Sequence, residues 1–178
     1  MEKKWLFKER GDATVVRRMT AEMAVPESVV NLMVQRGITT PHQAEEFFNP
    51  SLNSLHDPFL MKDMNKAVDR VSTALVRNER ILVYGDYDVD GTTSVALMYS
   101  FLRERHQAID YYIPDRYHEG YGLSLKGIDY AASTGCKLII ALDCGIKAVE
   151  KVKYARTKGV DVIICDHHLP GDEIPPAA

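Results

Sequence analysis

The most constraining feature of this sequence is an alternation that begins near Asn65. Short apolar runs are separated by segments of helical period. Ile81–Tyr84 (ILVY), 138–142 (LIIAL) and 160–165 (VDVIIC) read as strands, joined by Ile109–Ile113, which Pro114 ends. Between them, 66–78, 93–105, 125–134 and 148–158 read as helices, the last two closed by Gly135 and Gly159. Such an alternation predicts an α/β fold, a mostly parallel sheet flanked by helices. The nearly all-apolar strands suit a sheet covered on both faces.

The first 61 residues differ. A turn at Gly11-Asp12 leads into a mixed polar stretch. A helix is expected over 26–36, closed by Gly37, and another from a Thr40-Pro41-His42-Gln43 capping box to about Phe48. The stretch 51–61 has turn residues and no clear period, and reads as a connector. The expected organisation is therefore a small helical N-terminal segment, 1–61, and an α/β domain, 62–178. The end at Pro175-Pro176-Ala177-Ala178 follows a strand with no covering helix, so that domain reads as C-terminally incomplete.

Of 178 residues, 46% are hydrophobic, which excludes a disordered chain, and no run of about 18 apolar residues is present to span a membrane. Met1–Arg10 is charged and lacks the apolar core of a secretory signal. Cys136, Cys144 and Cys165 read as small buried side chains of a reducing compartment, so a cytoplasmic location is expected. A net charge of −3 does not advertise a nucleic-acid partner, and any such contact must be local.

Ligands of parallel sheets gather at strand carboxyl ends. Here those ends carry Asp86, Asp88 and Asp90 after ILVY, Asp143 after LIIAL, and Asp166, His167 and His168 after VDVIIC. Up to five carboxylates on one edge repel one another unless a cation sits among them. Asp with His suits Mn²⁺, Mg²⁺ or Zn²⁺, and so many donors suggest a two-metal centre able to clamp both oxygens of a phosphoryl displacement. Taken singly, each Asp reads as a helix cap or loop residue, and Asp90 as a cap for a helix beginning near Thr92. An EF-hand is excluded because Leu97 stands where its Glu belongs. A receiver domain is set aside because it needs no His pair and no Lys completes it at a later strand end.

The motifs GDYDVDG, LDCG and DHH, in this order, resemble the DHH phosphoesterase superfamily. ILVYGDYDVDGTTS, YIPDRYHEGYGLS and the segment with Lys4-Trp5 are similar to its RecJ branch. The resemblance implies a 5′→3′ exonuclease on single-stranded DNA, acting in DNA repair and recombination, with Mn²⁺ or Mg²⁺ as cofactor. It also implies a helicase and a single-strand-binding protein as partners, and no membrane. Carried over by motif, Asp88 and Asp90 are metal ligands, with Asp86 either a ligand or an acceptor beside them. Asp143 is the bridging carboxylate, Asp166 and His167 are ligands or orienting groups, and His168 is a phosphate contact. Asp143, His167 and His168 form the catalytic set. Arg116 and His118 could meet phosphate, and Arg116 reads equally well as a solvated loop residue. Tyr84 stands where many relatives carry His. A further Asp expected downstream is not matched by Asp172 or Glu173, so the 178 residues are expected to be folded but weak or inactive alone. A small-nucleotide phosphodiesterase or short-oligonucleotide hydrolase, and a non-catalytic scaffold, are the competing readings.

Overall fold

The computed structural model describes residues 4–178, so the first three residues of the charged N-terminal segment lie outside it. The chain divides into two compact units, the first ending at Asp57 and the second running from Pro58 to Ala178.

The first unit holds α1 (Ala13–Met23), α2 (Glu27–Val34) and α3 (Pro41–Phe48). The Thr40 capping box forms as expected, with Gln43 N–H donating to the Thr40 hydroxyl and the Gln43 side chain accepting from Thr40 N–H. The mixed polar stretch is in fact α1, started by Asp12, whose carboxylate accepts from the backbone N–H groups of Thr14 and Val15. Its buried face is narrow: Val16 and Met19 pack with Val30, Met33 and Ala44. The expected connector contains two 3-10 turns, Leu52–Ser54 and Pro58–Leu60.

In the second unit, α4 (Met64–Val76) precedes β1 (Arg80–Gly85), α5 (Val89–Arg103), β2 (Ile109–Tyr112), α6 (Leu125–Ser133), β3 (Cys136–Leu142), α7 (Val149–Thr157) and β4 (Asp161–Cys165). The strands form one parallel sheet in the order β2-β1-β3-β4. Alternate residues of β1 enter two different cores. Ile81 and Val83 pack with Leu138, Ile140 and residues of α4 and α5, while Leu82 and Tyr84 pack with Ile139, Ala141 and residues of α6 and α7. Double coverage is what the unbroken apolar runs required.

The strand order sets the position of the site. From β1 the chain moves outward to β2, then returns to place β3 on the other side of β1. A reversal of this kind opens a crevice at the carboxyl ends of the two central strands. The opposite end of the sheet is tied by Arg70 of α4, whose guanidinium reaches Asp161 (2.7 Å) and Glu79 (2.8 Å).

Two expectations change. Helix α5 starts at Val89, earlier than its apolar period suggested, and its N-cap is Asp88 rather than Asp90. Cys136 and Cys144 are buried, but Cys165 is exposed, because it is the last residue of β4.

Candidate metal centre

The crevice is built by backbone that approaches closely. A Cβ at Gly91 would lie 2.4 Å from the Asp86 carbonyl oxygen, so only glycine lets the first turn of α5 settle on the end of β1. That contact fixes Asp86, which is fully buried. One of its carboxylate oxygens accepts from Tyr87 N–H (2.6 Å), the other from Gly122 N–H (3.0 Å). Burial, with the nearby charges of Asp88 and Asp143, raises its pKa despite those two donors. Asp88 is exposed and accepts from Gly91 N–H (2.9 Å). Asp90 lies in the first turn of α5, also exposed.

Asp143 follows β3 with φ of 58°, a left-handed conformation that a non-glycine residue rarely adopts. Its N–H bonds the Cys165 carbonyl (2.8 Å), carrying the β3–β4 pairing past the strand ends. The strain turns a nearly buried carboxylate toward β4, where Oδ1 stands 3.1 Å from His167 Nε2. Asp166, almost inaccessible, accepts from the N–H of Ile146 (3.0 Å) and of His168 (3.0 Å), and lies 2.7 Å from His168 Nδ1. Burial alone would push the Asp166 carboxyl up, but these donors outweigh it and the net shift is downward. The hydrogen bond to Asp166 raises the pKa of His168.

Asp143, His167 and His168 each offer one donor atom, all within 4.8 Å of one another. Asp86, Asp88 and Asp166 border this group. Burial first, and then their fields with that of Asp143, push the Cys144 thiol and the Tyr121 hydroxyl up to about 12. The His167 imidazole and the Asp143 carboxylate, in a field of further carboxylates, fit a divalent transition metal by both charge and donor type, with His168 Nε2 beside them. Asp86 and Asp166 already accept hydrogen bonds on both oxygens, the arrangement of groups that orient ligands.

The loop between β2 and α6 closes one side of the site. Tyr121 places its hydroxyl 3.3 Å from His168 Nε2 and 3.3 Å from the Asp143 carbonyl oxygen. The Arg116 guanidinium lies 5.2 Å from the Tyr87 ring centre. His118 Nδ1 is 2.8 Å from Asp115, within a turn whose N–H groups Asp115 also accepts. Beneath the loop, Glu119 accepts from the hydroxyls of Tyr112 and Ser124 and from Asp115 N–H. Tyr84 is fully buried, donates to the Gly122 carbonyl (2.8 Å) and accepts from Ser124 N–H (3.1 Å). Its side chain braces the loop instead of supplying a ligand. The sequence singled out this loop but neither Tyr121 nor Glu119; their signal was the YHEGYGLS motif, which carries no geometry by itself.

Residues 80–178 match the DHH family, N-terminal domain. The chain belongs to the DHH family. It is 41% identical over 167 residues to the single-stranded-DNA-specific exonuclease RecJ of Bacillus subtilis, covering 94% of this chain and 21% of that protein. To the RecJ of Escherichia coli it is 36% identical, covering 86% of this chain and 26% of the relative. Among solved structures, RecJ of Thermus thermophilus in complex with Mn²⁺ superposes with a TM-score of 0.70 at 26% identity, over 93% of this chain and 23% of the other. An exonuclease RecJ bound to manganese gives 0.61 at 33% identity, over 66% of this chain and 30% of the other. The chain thus spans about a fifth to a third of the length of these relatives.

Proposed function

We propose that this chain carries part of the catalytic core of a metal-dependent exonuclease that hydrolyses single-stranded DNA in the 5′→3′ direction, in the cytoplasm, during repair and recombination. The observation that carries the reading is the meeting of Asp143, His167 and His168 just beyond the carboxyl ends of β3 and β4, bordered by Asp86, Asp88 and Asp166. The relatives named for single-stranded DNA, and those solved with manganese, support the substrate and the cofactor. A helicase and a single-strand-binding protein are proposed as partners from the RecJ resemblance alone.

Asp143 and His167 would hold Mn²⁺ or Mg²⁺, with Asp88 and Asp90 at the α5 end as further ligands. The metal, when bound, supplies Lewis-acid activation of water and phosphate. The remaining work falls to this chain's own groups. Asp86 keeps the end of β1 joined to Gly122. Asp166 holds the His168 ring at Nδ1 and leaves Nε2 facing the cluster, where the protonated form can donate to a phosphate oxygen. Arg116, beside Tyr87, supplies a second positive charge for the strand, and His118 is assigned a phosphate contact on the same loop.

The test is Mn²⁺-dependent release of mononucleotides from 5′-labelled single-stranded DNA by the full-length protein, set against its hydrolysis of pyrophosphate and dinucleotides. Preference for the long strand supports the exonuclease; turnover of the small substrates alone would replace it with a small-nucleotide phosphodiesterase.

A further inference from the structure

The basic groups on and beside the loop between β2 and α6 are held in different ways. His118 Nδ1 lies 2.8 Å from the Asp115 carboxylate, and Lys126 Nζ lies 4.0 Å from that of Glu119. Arg116 is exposed and makes no ion pair among the described residues. Its guanidinium carbon stands 5.2 Å from the centre of the Tyr87 ring instead. Tyr87 is flanked in sequence by two acids, but both are otherwise engaged. Asp86 accepts from the N–H groups of Tyr87 and Gly122, and Asp88 accepts from Gly91 N–H. An aromatic ring therefore receives the guanidinium where a carboxylate was within reach along the chain.

The difference matters chemically. A carboxylate would cancel the charge of Arg116 and occupy its N–H donors. A ring attracts the cation through its quadrupole, neutralises nothing and accepts no in-plane N–H. An arginine held in this way keeps its full charge and its fork of donors for a phosphate. The same ring also faces the metal centre. It meets Tyr121 edge to face, with centres 6.4 Å apart and planes at 86°, and Tyr121 meets the His168 ring at 6.0 Å and 82°. Half-buried Tyr87 is thus the joint between Arg116 and the cluster at the strand ends. The side-chain contacts of Tyr87 are those of its ring; among the described residues its hydroxyl has no hydrogen-bond partner.

We infer that Tyr87 is a positioning residue, whose ring holds the Arg116 guanidinium uncompensated beside the metal centre for a phosphate of the bound strand. The inference deepens the proposed function and rests on its action on single-stranded DNA. Tyr87 acts through Arg116, so its contribution exists only while that arginine is present.

Equilibrium binding of a single-stranded oligonucleotide to the full-length protein tests this, in EDTA so that no strand is consumed. Arg116→Ala should weaken binding about tenfold and lower the salt slope by about 0.7, the share of one phosphate contact on a single strand. Tyr87→Leu removes no charge, yet should weaken binding about fivefold and lower that slope as well. Tyr87→Phe keeps the ring and should bind within about twofold of the parent. In the Arg116→Ala background, Tyr87→Leu should add less than about twofold, because the two residues act as one unit. A parent that does not bind the strand would sink the nuclease reading and this inference with it. A parent that binds, with Arg116→Ala binding equally well, would overturn the inference alone. So would a full fivefold loss from Tyr87→Leu on top of Arg116→Ala, an unchanged salt slope in Tyr87→Leu, or a Tyr87→Phe as weak as Tyr87→Leu.

Discussion

His167 Nε2 stands 3.1 Å from Asp143 Oδ1, although the two residues follow different strands. The contact exists because β3 and β4 are paired to their ends and Asp143 turns in the left-handed region immediately beyond. If Asp143 is the carboxylate that holds metal for the reaction, Asp143→Ala in the full-length enzyme should lower the rate of single-stranded DNA cleavage by at least a hundredfold, about 2.7 kcal/mol of barrier. A rate within about threefold of the parent would remove it from the site.

Gly91→Ala tests the close packing of α5 on β1. The added methyl would meet backbone atoms of Asp86 at 2.4–2.8 Å, and backbone cannot swing aside as a flexible side chain can. The expected loss of stability is about 3 kcal/mol, at the upper end of overpacking costs, measured by denaturant unfolding. A change under about 0.5 kcal/mol would mean that α5 can shift away from the strand.

Glu119 is the acidic counterpart of that packing. Burial alone would raise its pKa, but donors from Asp115, Ser124 and Tyr112 outweigh burial and lower it. A carboxylate with a depressed folded pKa stabilises the fold above its unfolded pKa, about 4.3, and that contribution is lost as pH falls through the lower folded value. The parent should therefore lose stability below about pH 4.3 more steeply than Glu119→Gln. At neutral pH, Glu119→Ala should cost about 2 kcal/mol, since it strands three donors under the loop. Identical acid profiles for parent and Glu119→Gln would show that the carboxylate is not charged in the fold.

The strands were legible because β1, β3 and β4 are buried on both faces, and an unbroken apolar run records that directly. The acidic and imidazole residues at their ends were legible for the same reason, since the end of a run marks the edge of the sheet. Strand order was not, because nothing in Ile109–Tyr112 says on which side of β1 it pairs. Helix α1 was hidden by Arg17, Arg18 and Glu22, exposed residues around a narrow buried face. The division of labour among the acidic residues also needed coordinates. Asp86, Asp88 and Asp166 accept backbone N–H groups, a role set by the turns around them and not by residue type. Tyr84 and Tyr121 act through contacts between distant segments, for which spacing along the chain gives no sign; Glu119 gathers Tyr112, Asp115 and Ser124 through the fold of its own loop.

Asp143 and His167 are the proposed holders of a divalent metal at the strand ends. The most direct measurement is Mn²⁺ binding followed by electron paramagnetic resonance, where the free-ion signal falls as the ion is bound. The parent chain should deplete that signal at stoichiometric protein, while Asp143→Asn and His167→Ala should each weaken binding at least tenfold without a loss of folded structure by circular dichroism. Equal depletion by the parent and both variants would place the metal elsewhere and contradict the account.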